Sequence, residues 1–156
     1  MDYSKLINIK SQDRLNDIRE IVFKEINEVN QSGGTYDGLC KYVANNIRYE
    51  LNNKNIRSYL IDLNQFDLDH VFLVAEYNNS NIIRVLIDPT ISQFNIGEKA
   101  FAKNKEILTN LLNDGYSIID DEMFNNYIHL LTNEKRNFTL DNDLISLSEY
   151  NGKIKN

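Results

Sequence analysis

Three runs rich in β-branched and aromatic residues follow one another closely: Ile56 to Leu63, Val71 to Tyr77 and Ile82 to Ile87. Such side chains suit the pleated, half-buried surface of a sheet. The link Asn78-Asn79-Ser80-Asn81 between the second and third runs is turn chemistry, which makes an antiparallel hairpin the economical reading. Pro89, the only proline, follows the third run directly and has no N–H with which to extend its ladder. The middle of the chain is therefore expected to form neighbouring strands of one small sheet, and the flanking segments have to cover it.

Those flanks carry helical spacing. Between Ser11 and Asn30, Leu15, Ile18, Ile21, Val22, Ile26 and Val29 recur at steps of three and four, the stripe of an amphipathic helix. Ser32-Gly33-Gly34 ends it, because glycine enters the left-handed backbone that terminates helices. A second helix is predicted at once, with Asp37 as N-cap and Leu39, Val43, Ile47 and Leu51 as its buried stripe, ending in Asn52-Asn53-Lys54-Asn55. Cys40 then lies in the first turn. Beyond the strands, a helix is expected over Glu98 to Leu112, stopped by Asn113-Asp114-Gly115. A short run Tyr116 to Ile119 follows, and Asp120-Asp121 cap a last helix with Met123, Phe124, Tyr127, Leu130 and Leu131. From Asn133 the chain reads as mostly polar, with a frayed end at Gly152 to Asn156. The pattern predicts an α+β fold: N-terminal helices packed on a small antiparallel sheet, C-terminal helices after it, and one domain over residues 1–156.

Charge and cysteine content narrow the function. With 17 Lys and Arg against 23 Asp and Glu, the net charge is −6, and no basic block exists to release counterions from a phosphate backbone. Nucleic acid is not an expected partner. One cysteine makes no intramolecular disulfide, and no close ligand pair such as C-x-x-C or H-x-x-x-H accompanies it, so neither a metal nor another cofactor is expected. No apolar run approaches the roughly 20 residues that span a bilayer, and no leader-like apolar segment follows Met1-Asp2-Tyr3-Ser4-Lys5. A soluble protein is expected, in the cytoplasm or exported without a cleavable leader.

Three residues stand where chemistry is readily built. Cys40 opens a helix, His70 precedes the second strand and Asp88 ends the third. In a hairpin, the first residue of one strand and the last of its partner share an edge, so connectivity alone makes His70 and Asp88 neighbours. If the Leu39, Val43, Ile47 stripe packs on the sheet with its N-terminus toward that edge, Cys40 joins them. A helix N-terminus and a protonated imidazole both favour the thiolate, whose ordinary pKa is about 8.5. Asp88 would orient the imidazole, and the Cys40 backbone N–H would face an oxyanion. Gln31, Asn30 and Gln65 are candidates for a second oxyanion donor. Asp69 is an alternative partner for the ring, and His129 a competing base.

The stretches Gly33-Gly34-Thr35-Tyr36-Asp37-Gly38-Leu39-Cys40, Asp69-His70-Val71-Phe72-Leu73-Val74 and Leu86-Ile87-Asp88-Pro89-Thr90-Ile91-Ser92-Gln93-Phe94 resemble the papain-like and transglutaminase-like thiol-enzyme superfamily. The order Cys, His, Asp matches, at separations of 30 and 18 residues, over a core of about residues 33–95. The resemblance implies a helix that begins at the catalytic cysteine and packs on an antiparallel sheet presenting histidine and then an acid or amide. Gly34 occupies the region where papain-type peptidases carry a glutamine, and the third member is an aspartate. Both departures resemble the transglutaminase, glutamine deamidase and acetyltransferase side more than the peptidases.

The resemblance therefore implies a Cys40-His70-Asp88 triad acting through a thioester on glutamine side-chain amides of a protein or peptide, by deamidation or transamidation. A cysteine peptidase is the alternative within enzymes, and a small-molecule acyl donor is a further possible substrate. A non-catalytic binding module of the same fold, with Cys40 as a buried apolar residue, is the alternative outside them. Tyr36, Gln93 and Phe94 are the candidate substrate-binding residues, with Tyr42 beside them: the aromatics would line an acceptor groove and Ser92-Gln93-Phe94 would wall it.

Overall fold

The structure, a computed structural model, describes residues 3–31 and 39–154, with side chains between 14 and 149. Among these residues, six helices accompany a four-stranded sheet, an α+β architecture. Helices α1 (Tyr3–Gln31) and α2 (Cys40–Asn53) precede strands β1 (Arg57–Asp62), β2 (Val71–Asn79) and β3 (Asn81–Ile87). Helices α3 (Glu98–Lys103) and α4 (Lys105–Asp114), strand β4 (Tyr116–Ile119) and helices α5 (Asp121–Leu131) and α6 (Leu140–Ile154) complete it. The strands lie in the order β1-β2-β3-β4, every pair antiparallel. The expected hairpin forms, and its register runs from Leu73 opposite Ile87 to Asn79 opposite Asn81, with Ser80 turning the chain at φ 60°.

Both faces of the sheet are covered. Val71, Leu73, Ala75, Val85 and Ile87 join the stripes of α1 and α2, including Val22, Val43, Ile47 and Leu51, in one buried cluster. Phe72, Val74 and Leu86 join Leu108, Leu111, Phe124 and Ile128 from the C-terminal helices in another. Strand alternation sends successive side chains into opposite clusters, which is why β2 reads as a continuous apolar run. No helix among the described residues is long and apolar enough to cross a membrane.

Several elements depart from expectation. Helix α1 begins at Tyr3, well before Ser11. The helix expected over Glu98 to Leu112 is broken at Asn104, whose backbone leaves helical geometry and whose amide donates to the Ala100 carbonyl at 2.9 Å. The chain after Asn133 is not simply polar: α6 buries Leu140, Leu144 and Leu147 and packs on β1. Its start is tied by Asp143 Oδ2, which accepts the Thr139 N–H at 2.8 Å, and it continues through Gly152 to Ile154 where fraying was expected. Asp120 caps α5 as anticipated, accepting the Met123 N–H at 2.8 Å. Gly33, Gly34, Tyr36 and the proposed cap Asp37 lie outside the described residues; α2 follows Leu39, which supplies no side-chain cap.

Candidate active site

Leu73 and Ile87 are paired, so the next positions outward bring the start of β2 and the end of β3 to one end of the sheet. His70 is anchored there by its backbone: its carbonyl accepts from Leu63 N–H and its own N–H donates to the Leu68 carbonyl, both at 2.9 Å. Asp88 is anchored by its N–H, which donates to the Gly115 carbonyl at 3.0 Å. The two side chains meet as connectivity required, His70 Nε2 lying 2.7 Å from Asp88 Oδ2 with both residues buried. Asp69, the alternative partner, does not take this place.

Cys40 stands at the head of α2, 9% exposed, and its thiol is in hydrogen-bonding reach of the His70 ring. That hydrogen bond holds the thiol below its ordinary value, against the opposing effect of burial, and the Val71 backbone and the imidazole charge act the same way. Burial alone would disfavour an imidazolium at His70. The charge of Asp88 and its hydrogen bond, with the Cys40 contact, outweigh it and raise the ring to about 10. Both shifts favour proton transfer from sulfur to ring, giving a thiolate beside an imidazolium.

Four neighbours complete the arrangement. Thr90 Oγ1 donates to Asp88 Oδ1 at 3.1 Å, and the Tyr127 hydroxyl of α5 donates to Asp88 Oδ2 at 2.5 Å. Phe94 sets its ring edge-on to His70, centroids 4.8 Å apart. Gln93 brings its amide nitrogen to 3.3 Å from His70 Nδ1, on the nitrogen that Asp88 leaves free. An amide N–H donates there only to a neutral ring. In the imidazolium Nδ1 is itself a donor, so the Gln93 amide must then turn or withdraw.

The other sequence candidates are placed differently. Phe94 packs against the cluster under the sheet and sets its ring edge-on to His70, so it holds the imidazole as well as standing where a groove wall was expected. Tyr42 is 61% exposed on α2. Gln65 spends its amide on the carbonyls of Asp62 and Leu147, and His129 Nε2 is engaged with the Arg136 carbonyl at 2.7 Å. Asn30 and Gln31 are exposed at the end of α1. Tyr127 and Thr90 escaped sequence reasoning. Thr90, two residues after Asp88, had a readable local signal, whereas Tyr127 was hidden in an apolar helical stripe. Among the described residues, no three His, Cys, Asp or Glu side chains are arranged to hold a metal ion. The chain matches no protein-family description, no curated protein and no solved structure.

Proposed function

We propose that this protein is a thiol-dependent acyl-transfer enzyme with a papain-like or transglutaminase-like core. In this reading it acts on glutamine side-chain amides of a protein or peptide. The observation that carries it is the buried His70–Asp88 pair at 2.7 Å with the Cys40 thiol in hydrogen-bonding reach of the same ring, at a helix head. The Cys40 thiolate attacks the carboxamide carbon, and the carbonyl electron pair moves to oxygen. Cys40 occupies the first helical position, where the helix's own ladder offers its N–H no acceptor, so that N–H faces the oxyanion. Gln93, displaced from Nδ1 once the ring is protonated, is the side chain suited to be the second donor. Collapse of the intermediate breaks the C–N bond, and the His70 Nδ1 proton leaves with ammonia. Water, deprotonated by the now neutral His70, then cleaves the thioester to a carboxylate; an amine in its place gives a new amide. The thiol is little exposed and the imidazole is covered, which favours a slender side-chain amide over a main chain drawn across the site.

The test is ammonia release from a panel of glutaminyl peptides, paired with iodoacetamide labelling of Cys40 against pH. Labelling with an apparent pKa well below 8.5 that moves up in His70→Ala, and ammonia release lost in Cys40→Ala, are the expected results. A thiol that is inert, or whose profile ignores His70→Ala, overturns the reading in favour of a binding module. Release of a new amino terminus without ammonia identifies a peptidase instead.

A further inference from the structure

We propose that Tyr127 is a positioning residue for the imidazole, setting how firmly Asp88 holds His70. The proposal rests on the triad reading above for its catalytic meaning, but its geometry stands independently. Tyr127 comes from α5, in the layer across the sheet from α2, and is fully buried. Its hydroxyl donates to Oδ2 of Asp88, the same oxygen that holds His70 Nε2, while Thr90 occupies Oδ1. Phe72 packs edge-on against the phenol ring at 5.4 Å between centroids, so the hydroxyl's direction is set by packing.

The consequence follows from sharing. A carboxylate oxygen that accepts two hydrogen bonds is a weaker acceptor toward each than one that accepts a single bond. Tyr127 therefore lessens the pull of Asp88 on the imidazolium, and the ring gives up its Nδ1 proton more easily. In an acyl transfer this is the proton that the leaving ammonia needs. Burial, and then the neighbouring Asp88 charge, push the phenol well above its ordinary range, so Tyr127 stays a neutral donor throughout. The charged and titratable groups facing the ring are Cys40 from α2, Asp88 beyond β3 and, through Asp88, Tyr127 from α5; Asp69 acts on Cys40 from the adjoining chain.

The experiment is an NMR titration of the His70 ring nitrogens in the full chain, with His129 as internal reference. Tyr127→Phe keeps the ring and removes the donor, and its His70 midpoint should rise by about one pH unit, the size of one hydrogen bond to a charged group. Replacing Tyr127 with 3,5-difluorotyrosine strengthens the donor and should lower the midpoint, which also keeps the test decisive if the phenylalanine variant folds poorly. A rise with phenylalanine and a fall with difluorotyrosine support the proposal, because a purely structural role has no reason to change sign, whereas the reverse pair of shifts overturns it. A midpoint unmoved in both, or moved the same way in both, overturns it. Because the titration is read without substrate, the expected shifts in a protein that releases no ammonia leave the positioning role intact while the enzyme reading fails.

Discussion

Gly115 shows how tightly single residues hold the site. Its φ of 80° belongs to the left-handed region, and an added Cβ would sit 2.9 Å from Val22 Cγ1, 3.0 Å from Ile26 Cδ1 and 3.3 Å from Pro89 Cβ. Its carbonyl receives the Asp88 N–H, so the same glycine ends α4, clears α1 and fixes the carboxylate that holds His70. Gly115→Ala should cost about 2 kcal/mol, from backbone strain and crowding together, read as a lower urea midpoint at unchanged slope. An unchanged midpoint would show that α1 yields at no cost. At this scale Cys40, His70 and Asp88 were legible, because helix starts and strand ends leave local marks. Tyr127 was not, because a hydroxyl in an apolar stripe looks the same whether or not a carboxylate lies near it, and Gln93 was marked only as a wall of the substrate groove, with nothing local to show that its amide reaches the His70 ring.

Among the elements, α6 separates pattern from packing. Its Leu140, Leu144 and Leu147 are buried, but they are surrounded by Asp141, Asn142, Asp143, Ser146 and Ser148, so the stripe is narrow and the segment reads as polar. The sheet supplies the missing term by offering β1 as a surface for that stripe. Leu147 has no exposed surface, and Leu147→Ala should lower unfolding free energy by about 2–5 kcal/mol in urea denaturation. Ile145→Ala, at a side chain 59% exposed, should stay within about 0.5 kcal/mol. Equal effects from the two would mean that α6 does not dock as described. The hairpin was legible for the opposite reason, since turn residues and β-branched runs specify it locally.

For the whole molecule, the buried ion pair couples folding to pH. The His70 ring, raised from 6.5 to about 10, contributes stability that is complete below pH 6.5 and lost as pH rises through about 10. The lowered Cys40 thiol works the other way: its contribution is present above 9.0 and lost as pH falls through its folded value. Where the two windows overlap below pH 9.0 the slopes oppose each other. Net loss is steepest from pH 9.0 to about 10, where the ring alone still titrates. Urea midpoints of the wild type minus those of a Cys40→Ala, His70→Asn double variant should therefore fall less steeply with pH below 9.0 than between 9.0 and about 10. A difference that stays flat through pH 10 would count against the pair.

By itself the sequence determined the hairpin, a helix with Cys40 in its first turn and the adjacency of His70 and Asp88, because turns, strand ends and helix stripes are properties of neighbouring residues. The tertiary structure decided the rest. It covered both faces of the sheet, recruited the sparse leucines of α6, aimed Tyr127 at Asp88 from a distant helix, and set Phe94 and Gln93, expected along a substrate groove, against the His70 ring itself. Those choices depend on which surfaces the sheet leaves free to bury, a quantity that exists only once the strands have paired.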